Sequence, residues 1–180
     1  MSMHTLRRSQ WVDRPLEEVF AFFQNPGNLA LLTPPDLGFE ILTPPPIVMK
    51  AGAKIEYRIR LFGLPLRWET LIESYAPPHG FTDVQTRGPY AVWRHTHTFS
   101  REDGGTRMTD EVHYAPPLGM LGRLALPLIS RELQRIFDFR KTAIERLFAR
   151  RQEARHESRH RRRDGIHRTD SREETFLPGP

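Results

Sequence analysis

Residues 81–115 decide the fold, and their sequence is FTDVQTRGPYAVWRHTHTFSREDGGTRMTDEVHYA. Apolar and polar residues alternate with a period of two in three segments, which are separated by Gly88-Pro89 and by residues 102–105. Because successive side chains of a β-strand point to opposite faces, this period predicts antiparallel strands joined by tight turns. The predicted strands are Phe81–Arg87, Ala91–Arg101 and Thr106–Ala115.

One face of these strands mixes aromatic side chains with ionisable ones. Taken every second residue, that face carries Phe81, Asp83 and Gln85, then Trp93, His95, His97 and Phe99, then Met108, Asp110, Val112 and Tyr114. Burying a carboxylate or an imidazole without a partner costs several kcal/mol. This face is therefore predicted to line a pocket, where its ionisable groups pair with one another or meet a ligand.

The turns between the strands predict which side chains lie opposite one another. If the first turn pairs Gln85 with Trp93, Asp83 lies opposite His95. If the second turn pairs His97 with Met108, Asp110 lies opposite His95 from the other side. Cβ atoms of such neighbours are about 5 Å apart, which is close enough for a carboxylate to bond an imidazole. We therefore predict a row of Asp83, His95 and Asp110, in which the carboxylates raise the pKa of His95.

The N-terminal part of the chain predicts one strand and two short helices. His4–Val12 is the candidate strand, and Asp13 followed by Pro15 is typical of a capped helix start. A second short helix is predicted over Asn28–Leu32, and a further strand over Leu37–Leu42.

The rest of the chain predicts more strands and then one long helix. Lys54–Leu61 alternates charged and apolar residues, and Leu66–Ile72 does the same, as in half-buried antiparallel strands. After Pro116 the apolar residues follow helical spacing as far as Phe148. Beyond that point they nearly vanish, so residues from about 155 onward are predicted to be disordered.

Composition limits the classes of function. A chain of 180 residues with 38% hydrophobic residues has the size of one globular domain. The absence of cysteine excludes disulfides, thiolate nucleophiles and cysteine-ligated metals. No stretch reaches the roughly 18 apolar residues that a membrane helix needs, and the start has no apolar signal core. We expect a cytoplasmic protein without a transmembrane segment.

The excess of basic residues lies mainly near the C-terminus. Residues 149–180 contain nine basic and six acidic residues, whereas residues 1–148 contain 18 and 16. Because the part that is predicted to fold is nearly neutral, we expect no specific nucleic-acid binding. For the basic tail, a weak contact with an anionic membrane or RNA is the alternative to a solvated charged end. The sequence leaves the oligomeric state open.

Two stretches resemble a known superfamily. They are RPLEEVFAFFQNPGNL at residues 14–29 and RGPYAVWRHTHTF at residues 87–99. Both are similar to bacterial proteins of the START and birch-pollen-allergen (SRPBCC) superfamily, of the polyketide cyclase/dehydrase or coenzyme Q-binding type. The resemblance implies an α+β helix-grip fold, in which a curved antiparallel sheet of about seven strands wraps on a long C-terminal helix. We predict a ligand-binding domain over residues 1–152 and a basic, disordered tail over residues 153–180.

The resemblance also implies a small hydrophobic or amphipathic ligand, such as a lipid, a quinone or a polyketide-like molecule. A cavity between the sheet and the C-terminal helix is the expected place for it. The predicted ligand-binding residues are Tyr57, Trp68, Asp83, Gln85, Trp93, His95, His97, Phe99 and Asp110.

Several alternatives remain open for the polar row. One alternative is a buried ion-pair network that binds no ligand. Another is a cofactor-independent cyclase, dehydratase or isomerase, in which His95 is the general base and Asp83 or Asp110 assists it. His95, His97 and an aspartate are also residue types that bind metals. However, the two histidines at i and i+2 supply only two ligands and the sequence does not specify which aspartate is the third, so we predict no metal and no cofactor. An interaction protein that uses its basic tail is the remaining alternative.

Overall fold

The computed structural model describes residues 2–117 and 119–166, and its main element is one antiparallel sheet. The strands are β1 (His4–Val12), β2 (Glu40–Ile41), β3 (Lys54–Leu61), β4 (Leu64–Ala76), β5 (Gly80–Arg87), β6 (Val92–Glu102) and β7 (Gly105–Ala115). These seven strands lie in the order β1-β7-β6-β5-β4-β3-β2. The sheet is thus a meander from β2 to β7, with β1 added beside β7.

Helical segments connect and follow the strands. They are the α-helix α1 (Leu16–Phe23), two 3-10 helices (Pro26–Leu32 and Pro35–Leu37) and the α-helix α2 (Gly119–Ile166). The chain divides into two units, Met1–Glu145 and Arg146–Pro180. The sheet, the short helices and the first part of α2 belong to the first unit, which confirms the predicted helix-grip architecture.

Two-residue turns fix the register of two hairpins. Phe62 and Gly63 join β3 to β4 with φ angles of 51° and 79°, and Asp103 and Gly104 join β6 to β7 with 50° and 77°. Positive φ at both central residues is the pattern of a type I′ turn, whose twist suits antiparallel strands. Strand β4 also carries register shifts near Glu69, and such bulges bend a sheet.

Helix α1 packs its apolar face on the sheet. Phe20 makes edge-to-face contacts with Phe81 on β5 and Phe99 on β6, at centroid distances of 6.4 and 5.7 Å. The helix begins at Leu16, and Pro15 rather than Asp13 takes the capping position, without a side-chain cap. The prediction of a helix start here was right, but the predicted cap was wrong.

Two predicted elements differ in extent. The predicted helix over Asn28–Leu32 is a 3-10 helix from Pro26 to Leu32, and the predicted strand Leu37–Leu42 shrinks to Glu40–Ile41. Leu37 instead closes the second 3-10 helix, and Gly38 follows it in a left-handed conformation, with φ at 52°. The chain therefore turns before it can pair with β3.

The C-terminal helix is longer than the sequence pattern predicts. Its backbone is helical as far as Ile166, well beyond Phe148, where the apolar pattern ends. The predicted disorder from about residue 155 stays a prediction. Residues 151–163 contain neither Gly nor Pro and include six Arg and two Glu, residue types that favour helix even where apolar residues are nearly absent. Residues 167–180 lie outside the described residues, and the domain boundary at residue 152 stays a prediction. No helix among the described residues is long and apolar enough to span a membrane.

Candidate functional site

A cavity of about 170 Å³ lies between the sheet and helix α2. Helix α1, the first 3-10 helix, the strands β3 to β6 and α2 all contribute to its lining. The apolar side chains of the lining include Phe22, Phe23, Leu29, Leu32, Leu37, Phe39, Ile41, Met49, Ile55, Tyr57, Ile59, Leu61, Trp68, Ile72, Phe81, Tyr90, Trp93, Leu133, Ile136 and Phe137. The interior is therefore hollow and mostly apolar, as a site for a small molecule requires.

Five aromatic residues form a continuous aromatic wall of the cavity, namely Phe39, Tyr57, Trp68, Tyr90 and Trp93. Tyr57 stacks on Trp68 at a centroid distance of 5.8 Å, and Trp93 meets Trp68 edge to face at 5.1 Å. Phe39 extends the wall from Tyr57, and Tyr90 extends it from Trp93. The buried indole N–H of Trp68 has no hydrogen-bond partner among the described residues. The wall thus contains one buried donor that no described residue satisfies.

Beside the wall lies a polar cluster made of Asp83 on β5, His95 and His97 on β6, Asp110 on β7 and Arg140 on α2. His95 Nε2 lies 2.9 Å from Asp110 Oδ1, and His97 Nε2 lies 3.2 Å from Asp83 Oδ2. His97 Nδ1 lies 2.8 Å from Asp110 Oδ1, a charge contact without hydrogen-bonding direction. Arg140 Nη1 is 3.5 Å from the same oxygen. Every charged group in the cluster therefore has an opposite charge close by.

The pKa values of the two imidazoles shift in opposite directions. Burial and the neighbouring imidazole of His97 lower the pKa of His95, and the contacts with Asp110 and Asp83 do not offset them. For His97, burial also lowers the pKa, but the close contacts with the carboxylates of Asp110 and Asp83 outweigh it and raise the pKa. The sequence-based expectation of a raised pKa at His95 was therefore wrong, because it left out burial and the second imidazole.

Asp110 is the anionic centre of the cluster. Burial raises its pKa, but the Arg140 guanidinium and the two imidazoles together hold the pKa well below its usual range. An ionised carboxylate only accepts hydrogen bonds, so His95 Nε2 is the donor and His95 Nδ1 keeps its lone pair. With His97 protonated, two carboxylates face one guanidinium and one imidazolium, and the cluster is neutral as a whole.

A family profile matches residues 12–138, which is more than half of the chain. The description of that family is polyketide cyclase / dehydrase and lipid transport. The chain belongs to this family. Membership in the polyketide cyclase/dehydrase family confirms the superfamily that the two sequence stretches predicted. No sequence among the curated proteins matches the chain.

Solved structures share the fold of this family member. The Zhui aromatase/cyclase of Streptomyces sp. R1128 aligns with a TM-score of 0.68 at 13% identity, over 83% of this chain and 96% of that one. The protein TTHA0849 from Thermus thermophilus aligns with a TM-score of 0.62 at 17% identity, over 81% of this chain and 97% of that one. A nucleoside-diphosphate sugar epimerase from Corynebacterium glutamicum aligns with a TM-score of 0.56 at 26% identity, over 78% of this chain but only 28% of that one.

The structure corrects one predicted register in the polar cluster. Asp83 pairs with His95, as predicted. On the other side, Asp110 pairs with His97 rather than His95, because the two-residue turn pairs Phe99 with Met108. The prediction was off by two residues, which keeps every side chain on the same face. Asp110 therefore still reaches His95, but diagonally.

The predicted site residues fall into three groups. Tyr57, Trp68, Asp83, Trp93, His95 and His97 line the cavity. Asp110 lies behind the two histidines and lines a second, polar cavity of about 140 Å³ beside β1 and α2. Gln85 and Phe99 are not part of the lining. Gln85 holds the β5–β6 turn through both backbone groups of Tyr90, at 2.7 and 3.2 Å, and Phe99 packs between Phe20 and Phe23.

Sequence reasoning missed Arg140, which is nine-tenths buried. It follows Leu133 by seven residues and Ile136 by four, so it falls on the apolar stripe of α2. A charged residue on an apolar stripe is the signal that would have found it. Its guanidinium lies 5.2 Å from the centre of the Phe137 ring and reaches Asp110.

Proposed function

We propose that the protein binds a small, mostly apolar ligand, of lipid, quinone or polyketide type, in the cavity under helix α2. The observation that carries this proposal is the pairing of an apolar lining with a few buried polar groups on one side. Such a cavity holds an apolar body by burial and fixes its orientation through a polar group. The description of the family, which includes lipid transport, supports the same class of ligand.

The unpaired donor in the aromatic wall supports the proposal further. The Trp68 indole N–H is buried and lacks a partner among the residues that the structure describes. Leaving a buried donor unsatisfied costs about 1–3 kcal/mol, and a ligand whose acceptor oxygen reaches this N–H after a small side-chain shift recovers part of that cost. The cavity volume of about 170 Å³ is close to that of an engineered cavity of about 150 Å³ that holds benzene. One ring of a quinone or polyketide matches this space.

A pair of tryptophan substitutions on one helix tests the proposal. Ile136 lines the cavity, so Ile136→Trp fills it, whereas Leu128→Trp adds the same ring at a position that is 55% exposed. Protein purified from its host is examined by native mass spectrometry, and its melting temperature is measured with a panel of quinones, fatty acids and aromatic polyketides. At 100-fold excess over Kd a ligand stabilises by about 2.7 kcal/mol, or roughly 5–10 °C.

We expect that rise, or a retained ligand, in the wild type and in Leu128→Trp, and neither in Ile136→Trp. The opposite outcome is an empty wild type that no compound of the panel stabilises. A rise that Ile136→Trp retains in full also counts against the cavity as the site.

The Asp110–His95 pair favours a second candidate function, which is cofactor-independent cyclisation, dehydration or isomerisation. Asp110 orients the imidazole through Nε2 and leaves Nδ1 of His95, which lines the cavity, as a proton acceptor. A positioned general base contributes about 100- to 10,000-fold to a rate. His95→Gln keeps a donor for Asp110 but removes the base, so turnover of an enolisable β-keto substrate falls by that factor. His113→Gln, at a partly exposed histidine on β7, is the control, and equal turnover in the two variants rejects His95 as the base.

A further inference from the structure

We propose that Asp83, His95 and His97 form a binding site for one divalent transition-metal ion, with Zn²⁺ as its probe. This inference goes beyond the binding of an apolar ligand and does not depend on it. The sequence left the third ligand unspecified, and the structure supplies it: one donor atom of each residue lies within 4.8 Å of those of the other two. Two histidines at i and i+2 on β6 and one carboxylate on β5 make up the set.

The spacing of the donor atoms suits a metal ion. Asp83 Oδ2 lies 3.2 Å from His97 Nε2 and 3.8 Å from His95 Nδ1. Ligands that lie about 2.0–2.1 Å from zinc in a tetrahedron are about 3.3 Å from one another. The two histidine nitrogens lie within 4.8 Å of each other, so side-chain shifts of about 1 Å bring the three donors around one ion, which takes the place of the proton between His97 and Asp83.

Asp110 occupies the position of a supporting carboxylate. Metal-bound histidines usually present their second ring nitrogen to a carboxylate, which fixes the orientation of the ring. Asp110 Oδ1 lies 2.9 Å from His95 Nε2 and 2.8 Å from His97 Nδ1, the two nitrogens that face away from Asp83. No described side chain makes a directed hydrogen bond with His97 Nδ1, although it is buried. Arg140 in turn holds Asp110 at 3.5 Å. Asp110 thus bonds His95 directly and lies close enough to His97 Nδ1 to bond it after a small rotation of the ring.

The surroundings favour a transition metal with an open coordination position. Two imidazoles and one carboxylate suit zinc or iron(II), whereas calcium and magnesium prefer oxygen ligands throughout. Asp83, His95 and His97 all line the main cavity, so the positions that the protein does not fill face the space where a ligand binds. Three protein ligands plus an open position are typical of metals that contact a substrate.

Zinc titration of the tag-free protein, freed of metal by a chelator, tests the site. The protein is titrated by calorimetry without any apolar ligand, and bound zinc is counted by elemental analysis after dialysis. We expect one zinc per chain in the wild type. Asp110→Asn, which removes the support but no ligand, weakens the affinity about 10- to 100-fold. Asp83→Asn and His97→Gln, which remove ligands, weaken it more. His113→Gln, whose ring lies beside Glu111 on the other face of β7, binds zinc as the wild type does.

The proposal is overturned by a wild type that binds no stoichiometric zinc, by zinc binding that survives both Asp83→Asn and His97→Gln, or by binding that His113→Gln abolishes. Circular dichroism shows whether each variant is folded. If Asp110→Asn fails to fold, the two ligand variants decide the result. Because no apolar ligand is present, a negative result leaves the proposed ligand binding standing.

Discussion

The aromatic wall and the polar cluster line the same cavity but are stabilised in different ways. The wall rests on ring contacts at centroid distances of 4.9 to 5.8 Å, and each ring has at least one aromatic neighbour. The cluster rests on buried opposite charges, which balance one another as a set when His97 is protonated. Ring packing tolerates exchange of similar shapes, whereas removal of one buried charge leaves its partners uncompensated. The wall is therefore adaptable in sequence, and the cluster is not.

The largest expected effect comes from removing the central charge of the cluster. Asp110→Ala leaves Arg140 buried without its carboxylate and His97 with Asp83 alone, and breaking a buried ion pair costs about 3–5 kcal/mol. Asp138→Ala on α2 is the matched control, since Asp138 is exposed and 3.3 Å from Arg8, and its loss costs less than about 1 kcal/mol. Urea unfolding measures both. Equal losses in the two variants contradict the view that burial makes the cluster sensitive.

A smaller loss is expected from Gln85, which lies on the predicted face but holds a turn. Gln85→Ala removes two hydrogen bonds to the backbone of Tyr90 and lowers the free energy of unfolding by about 1–3 kcal/mol. The loss is expected in protein without ligand, because the bonds are internal. If Gln85→Ala without ligand is as stable as the wild type without ligand, Gln85 does not hold the turn. Its prediction as a ligand-binding residue is then favoured instead.

A substitution in the aromatic wall is expected to lower the free energy of unfolding by less than Gln85→Ala does. Tyr57→Phe keeps the stacked ring on Trp68 and removes one hydroxyl contact with Thr70, at 3.3 Å. One such neutral hydrogen bond contributes about 0.5–1.5 kcal/mol. Chemical unfolding under the same conditions as for Asp110→Ala gives the comparison. A loss of about 3 kcal/mol or more would mean that the wall, too, depends on polar pairing.

The smallest effect concerns pH. An unfolded histidine has a pKa of about 6.5. Because the folded pKa of His95 is lowered, stability falls as the pH drops below 6.5, and because that of His97 is raised, stability falls as the pH rises above it. A shallow maximum near pH 6.5 should therefore appear in melting temperatures of the metal-free protein. His97→Gln is expected to remove the fall in melting temperature above the maximum, and His95→Gln is expected to remove the fall below it. The account is contradicted if His97→Gln removes the fall at low pH and His95→Gln removes the fall at high pH.

The fold was predictable because most of its strands and helices each have a clear local sequence pattern. The period of two in β3 to β7 and the helical stripe after Pro116 each specify an element, and the family resemblance specifies how the elements are arranged. Extents were less predictable where propensity competes with turn geometry, as at Leu37 and Gly38. The helix beyond residue 155 has no apolar face, so hydrophobic periodicity carried no signal for it.

The site was predictable only where neighbouring strands define it. Asp83, His95 and His97 follow from alternation on one sheet face, but the partner of Asp110 depended on the length of a turn. Arg140 comes from a helix that is distant in sequence, so no local pattern links it to Asp110. The pKa of His95 depends on burial and on a second imidazole, which sequence spacing does not measure.

The indole N–H signals of the three tryptophans test the central claim most directly. Trp68 and Trp93 line the cavity, whereas Trp11 donates its N–H to the Glu102 carbonyl oxygen at 2.8 Å, outside the lining. The ligand retained from the host, or one that raises the melting temperature, is added to ¹⁵N-labelled protein and followed by NMR. We predict that the Trp68 signal moves most and that the Trp11 signal stays in place. A saturating ligand that moves Trp11 and leaves Trp68 and Trp93 unchanged contradicts binding in this cavity.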